Sequence, residues 1–212
     1  MKLKFFIRTT GERKLDPSIE KELGNDYILL IDKEHKPVDS FIKQLSIISE
    51  FDSVLLEDDV ILCKDFVKEI EKAISEWPNQ IINFFTMPHM FFTTSLGFHT
   101  FVYNQCTFYP KGIGKKLTEE MMKLREPYNQ YDTLLNKALR SLVIPHVIYR
   151  PCLVQHIDVN TFIQQSTSNT RRCIWYKDYL DELGIDIKDS WTQETQNKLK
   201  ELLNEHFKKL GY

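Results

Sequence analysis

Three short, mostly apolar runs punctuate the first half of this chain, with amphipathic segments between them. The runs are Tyr27-Ile-Leu-Leu-Ile31, Ser53-Val-Leu-Leu56 and Ile81-Ile-Asn-Phe-Phe85. A strand with one wet face alternates apolar and polar residues; a continuous run implies cover on both faces. Strands of that kind, separated by helix-length segments, build βα units with a largely parallel sheet between layers of helix. The sequence thus predicts an α/β sandwich.

The remaining segments fit that frame. Leu3 to Thr10 is a plausible opening strand, and Ile19 to Leu23 a short helix closed by Gly24. Asp39 is placed to cap a helix carrying Phe41, Leu45 and Ile48 at helical spacing. Asp65 to Trp77 puts Phe66, Ile70 and Ile74 on one helical face, and Pro78 ends it. Thr100–Tyr109 and Val143–Tyr149 read as strands, and Lys116–Arg125 and Tyr131–Leu142 as helices. Ser190, with Gln193 as capping-box partner, opens a final helix whose apolar face is Trp191, Leu199, Leu202, Leu203 and Leu210. Met87–Phe98 is aromatic and without clear periodicity. Asp158–Arg172 is rich in Ser, Thr, Asn and Gln and reads as a mobile loop.

Composition narrows the function. A length of 212 residues suits one domain. Glycine is scarce, at 7 residues, and neither G-x-G-x-x-G nor G-x-x-x-x-G-K-[ST] occurs. A function built on a glycine-rich phosphate cradle is therefore disfavoured. With 28 basic and 30 acidic residues, the chain has no global attraction for nucleic acid or membrane. The start, Met1-Lys-Leu-Lys-Phe-Phe-Ile, does not read as a signal peptide, and no apolar run reaches the ~18 residues of a membrane span. The expectation is a soluble, cytoplasmic protein. Cys63, Cys106, Cys152 and Cys173 form no C-x-x-C and read as buried thiols in a reducing compartment.

The most informative segment is Val54-Leu-Leu-Glu-Asp-Asp-Val60, where three carboxylates follow directly on an apolar strand. Adjacent negative charges repel one another unless a cation sits among them, and oxygen ligands select Mg²⁺ or Mn²⁺. In open α/β sheets ligands bind outside the carboxyl ends of the strands, where this cluster falls. A solvated acidic turn is the bland alternative. Two further segments bear on the choice. Pro151-Cys-Leu-Val-Gln-His156 ends a short apolar strand on a histidine, which is either structural or a second ligand. Tyr128-Asn-Gln-Tyr-Asp-Thr-Leu-Leu135 puts Asp132 at a helix start, as an N-cap or as a general base.

Taken in this order, the three segments resemble the nucleotide-sugar glycosyltransferases of the GT-A fold, small bacterial and viral enzymes with "LEDDV" after a buried strand among them. The resemblance implies a Rossmann-type α/β/α sandwich with a mostly parallel sheet over residues 1–172, and a helical C-terminal extension over 173–212. It implies that Glu57-Asp58-Asp59 stands for the D-x-D element, with Asp59 and His156 holding Mn²⁺ or Mg²⁺ against a nucleoside-diphosphate sugar. Asp132 would be the base of an inverting transfer. Arg8 and Thr9 would lie beside the nucleobase and ribose, with Asp32 another nucleotide contact. Arg171 and Arg172 would close over the diphosphate. Arg8 is also readable as a salt-bridged arginine, and the Arg171–Arg172 pair as a solvated basic patch. The acceptor is open: a glycan, a protein, a small molecule or a modified DNA base. The competing readings are a metal-dependent nucleotidyltransferase or phosphohydrolase, and a non-enzymatic binding module.

Overall fold

Strand β1 (Lys4–Thr9) lies parallel to β2 (Tyr27–Ile31) on one side and to β3 (Ser53–Glu57) on the other, so that Ile7 stands opposite both Leu29 and Leu56. This comes from a computed structural model, which describes residues 3–86, 104–126, 128, 130–157, 172–189 and 192–209. Beyond β3 come β6 (Cys106–Tyr109), β5 (Ile81–Asn83) and β7 (His146–Ile148), giving the order β2-β1-β3-β6-β5-β7. Only β6 runs against its neighbours; β5 and β7 are parallel. The α/β class expected from the sequence is the class observed, with a mostly parallel sheet and a C-terminal helix.

Helices cover both faces of the sheet. Against one face lie α1 (Pro17–Leu23) and α3 (Phe66–Glu76), with α6 (Lys177–Leu183) and α7 (Gln193–Lys209). Against the other pack α2 (Pro37–Ile48), α4 (Ile113–Lys123) and α5 (Tyr131–Ser141). The continuous apolar run of β3 is now explained: Val54 and Leu56 enter the first core and Leu55 the second, all fully buried. The chain after Cys173 contributes Trp175, Tyr179, Leu203 and Phe207 to the first core. The four cysteines are buried and carry no disulfide.

Several local expectations are corrected. β2 is not buried on both faces: it is an edge strand, with Ile28, Leu29 and Ile31 more than two-fifths exposed. Asp39 does not cap α2; Pro37 opens that helix, and Asp39 lies in its first turn, where its charge suits the positive helix end. The helix expected over Asp65–Trp77 is α3, Phe66–Glu76; Asp65 precedes it in a left-handed conformation, and the Phe66 N–H donates to Glu22. The strand expected over Val143–Tyr149 is confined to β7, because Val143 has φ of 55° and cannot extend. At the start of α7, Thr192 Oγ1 accepts the N–H of Thr195. Ser190, Trp191, Leu210 and the segments 87–103 and 158–171 lie outside the described residues.

One element escaped the sequence. Val60–Leu62, directly after the carboxylates, forms strand β4, antiparallel to β8 (Val154–His156). This ribbon stands apart from the main sheet and sets Val60 opposite His156. Among the described residues no helix is long and apolar enough to cross a membrane.

Candidate active site

The carboxyl ends of β1 and β3 stand side by side, with Arg8 opposite Glu57. Arg8 is held from every direction. Its Nε donates to Gln44 Oε1 at 2.7 Å and its Nη1 to Glu57 Oε1 at 3.3 Å. Its guanidinium lies over the Tyr131 ring at 4.4 Å and the Phe41 ring at 4.8 Å. Flat cation, two aromatic faces and a carboxylate make a stacked ion pair of the kind arginine suits and lysine does not.

Glu57, the last residue of β3, also accepts the hydroxyl of Tyr131. Burial and the neighbouring Asp59 charge push the Glu57 carboxyl above its usual range, against the pull of Arg8 and the Tyr131 hydrogen bond. The start of α5 is thereby fastened to the end of β3. Asp132, in the first turn of α5, is near enough for its charge to act on Arg8, Tyr131 and Tyr109. The cap position of α5 belongs to Gln130, so capping does not explain Asp132.

Asp58 and Asp59 are both more than nine-tenths buried. Arg13, from the loop between β1 and α1, reaches both through Nη1, at 3.2 Å to Asp58 Oδ1 and 3.0 Å to Asp59 Oδ2. His156 Nε2 stands 3.5 Å from Asp59 Oδ2, an approach fixed by the β4–β8 register and by the Ile157 N–H donating to the Asp59 carbonyl at 2.8 Å. Burial pushes the Asp59 carboxyl up, but His156 and Arg13 outweigh it and hold it below its usual range. Asp59 Oδ1 is buried and has no hydrogen-bond partner. A cavity of about 320 Å³ opens here, lined by Arg13, Lys14, Asp16, Asp58, Asp59 and Ile157 among others.

The three segments singled out in the sequence thus converge on one corner of the molecule. The other candidates are placed as follows. Thr9 is buried, its Oγ1 accepting the Gly11 N–H, and its carbonyl accepts the Asp32 N–H at 2.8 Å. Asp32 is occupied in a local turn, accepting the N–H groups of Glu34 and Lys36. The Arg172 guanidinium lies 3.7 Å from the Phe207 ring centre, against α7. Arg171 lies outside the described residues. Sequence reasoning gave no role to Arg13, Gln44 or Tyr131. The only signal for Arg13 was a weakly basic stretch from Arg8 to Lys14, and a lone loop arginine has no periodicity to betray it.

The donor set fits a hard divalent cation. The buried, unpartnered Oδ1 of Asp59 is an oxygen ligand of the type Mn²⁺ and Mg²⁺ accept, and the His156 imidazole stands 3.5 Å from the other oxygen of the same carboxylate. Among the described residues no group of three or more His, Cys, Asp or Glu could hold a metal.

No family model and no curated protein matches this chain. Among solved structures it is similar to the protein A197 from STIV, at 18% identity and a TM-score of 0.48, over 75% of this chain and 87% of that one. It is also similar to a glycosyltransferase involved in the glycosylation of the major capsid of PBCV-1, at 18% identity and a TM-score of 0.45, over 70% of this chain and 82% of that one.

Proposed function

We propose that this protein is a metal-dependent glycosyltransferase, moving a sugar from a nucleoside-diphosphate sugar to an acceptor hydroxyl. The observation that carries the reading is the Asp59 carboxylate: Oδ1 is buried without a hydrogen-bond partner, Oδ2 stands 3.5 Å from His156 Nε2, and the residue lines a cavity beyond the end of β3. Leaving such an atom unsatisfied costs stability unless it serves a ligand. A divalent cation bound there neutralises the charge that grows on the departing diphosphate.

The chain's own residues divide the remaining work. Asp59 and His156 hold the cation. Arg8, Glu57 and Tyr131 form a fixed wall that sets the position of α5. Asp132 takes the proton of the acceptor hydroxyl as that oxygen bonds to the sugar C1, while the C1–O bond to the diphosphate breaks and the diphosphate leaves with the electron pair. General-base help of this kind is worth about 10²–10⁴-fold. The acceptor is a hydroxyl on a glycan, protein, small molecule or modified DNA base.

The test needs no acceptor. The protein is incubated with UDP- and GDP-sugars and Mn²⁺, and products are identified by mass spectrometry. Slow release of free sugar and nucleoside diphosphate, lost in Asp59→Asn, supports the reading. Sugar phosphate plus nucleoside monophosphate would instead make the protein a phosphohydrolase. No product from any donor, with no Mn²⁺-dependent thermal shift, would overturn the reading.

A further inference from the structure

The sequence raises the expectation of a divalent cation among the carboxylates, and in the structure a cation from the protein itself already lies there. One nitrogen of Arg13 bridges Asp58 and Asp59 at 3.2 and 3.0 Å. All three side chains are largely buried, at 18%, 9% and 7% exposure. The second carboxylate oxygen of Asp59 remains without a hydrogen-bond partner and buried. Arg13 satisfies one edge of Asp59 and leaves the other for a ligand.

Charge counting shows why both cations do not sit there together at no cost. Asp58 and Asp59 bring two negative charges and Arg13 returns one positive charge. A divalent cation on Asp59 would add two more, leaving the corner positive. A diphosphate restores the balance. Repulsion between a divalent cation and a guanidinium that share one carboxylate would cost roughly tenfold in binding even in a water-like medium. Arg13 belongs to the loop joining β1 to α1, outside any helix or strand, and it lines the cavity together with Lys14. Its planar fork is suited to phosphate oxygens as well as to carboxylates.

We propose that Arg13 is an exchanging ligand: it neutralises Asp58 and Asp59 while the site is without donor, competes there with the divalent cation, and transfers to the donor's phosphates when cation and diphosphate bind together. Cation alone then binds weakly, and cation with diphosphate binds well, which couples the two. This rests on the metal and diphosphate reading above and adds the residue that makes the binding ordered.

Binding of Mn²⁺ alone is measured by titration with electron paramagnetic resonance, and binding of UDP and of inorganic pyrophosphate in saturating Mn²⁺ by calorimetry, for the wild type, Arg13→Gln and Arg13→Lys. Arg13→Gln is expected to bind Mn²⁺ alone about tenfold more tightly than the wild type. The same variant is expected to bind UDP and pyrophosphate about tenfold more weakly, through the lost charged contact. Arg13→Lys keeps the charge and is expected to leave Mn²⁺ affinity near that of the wild type. The opposite signs are the signature, because a misfolded variant loses both affinities. Unchanged or weaker Mn²⁺ binding in Arg13→Gln overturns the competition; tighter Mn²⁺ binding with unaltered UDP and pyrophosphate binding overturns the transfer to phosphate. A wild type that binds neither Mn²⁺ nor Mn²⁺ with UDP overturns the glycosyltransferase reading itself, and that result is visible before any variant is compared.

Discussion

Tyr131 donates its phenolic hydrogen bond to Glu57, 74 residues away in sequence, and so ties the first turn of α5 to the end of β3. Two segments that look unrelated in the sequence become one wall, with the Arg8 guanidinium stacked on the same tyrosine ring. The bond does local work, because Glu57 is a largely enclosed acid near the buried carboxylate of Asp59 and needs donors.

Tyr131→Phe isolates that bond: the ring and its stack on Arg8 stay, and one donor to a charged acceptor goes. The expected loss is about 1–3 kcal/mol in urea denaturation. Tyr131→Leu also removes the aromatic face under Arg8, adding a further ~0.5–2 kcal/mol. Equal stabilities for the two variants would mean that the stack contributes nothing.

Gly114 lets α4 approach α2. A Cβ built there would stand 2.2 Å from the Leu45 carbonyl oxygen and 3.1 Å from Ser49 Cβ. Gly114→Ala gains about 1 kcal/mol of intrinsic helix propensity. The clash is with backbone, which cannot swing aside, so the two helices must separate at a typical cost of 1–3 kcal/mol, at times more. Steric cost is expected to win, and the variant to melt below the wild type in thermal denaturation.

How much of this was legible depends on the range of the cause. The runs at Ser53–Leu56 and Ile81–Phe85 announced buried strands because burial on two faces leaves a local trace. The same trace misled at Tyr27–Ile31, since a sheet edge is decided by what lies beyond it. β4 was hidden because three apolar residues after three carboxylates are too short to show a period. The carboxylates, His156 and Asp132 were each legible as chemical types, whereas their meeting depends on the β4–β8 register and on the Tyr131–Glu57 bond. Arg13 and Gly114 carry no periodic signal at all; each matters through contacts with residues distant in sequence.

Asp178 offers a pH test away from the site. Its carboxylate accepts the Lys64 N–H at 3.0 and 3.2 Å, and burial pushes its carboxyl above the usual range despite that bond. The folded state then binds this proton more tightly than the unfolded chain. The contribution of Asp178 to stability is therefore fullest below the ordinary aspartate pKa and falls as pH rises through its folded value. Asp178→Asn keeps an acceptor for Lys64 and removes the titration. Urea melts between pH 4 and pH 7 are expected to show the wild type losing stability relative to Asp178→Asn as pH rises. A constant difference across that range would assign the shift to another group.

Metal dependence is tested through stability, without reference to turnover. A ligand that binds only the folded state stabilises it by mass action, by about 2.7 kcal/mol at one hundred times its dissociation constant. Mn²⁺ is expected to raise the melting temperature of the wild type, and excess chelator to reverse the rise. Asp59→Asn keeps the size and one carbonyl oxygen but removes the charge that faces both His156 and Arg13. It is expected to melt at the same temperature with and without Mn²⁺. His156→Gln, which retains Asp59, is expected to keep a smaller shift. If Asp59→Asn responds to Mn²⁺ as the wild type does, the cation binds elsewhere, and the buried Asp59 oxygen loses the role assigned to it.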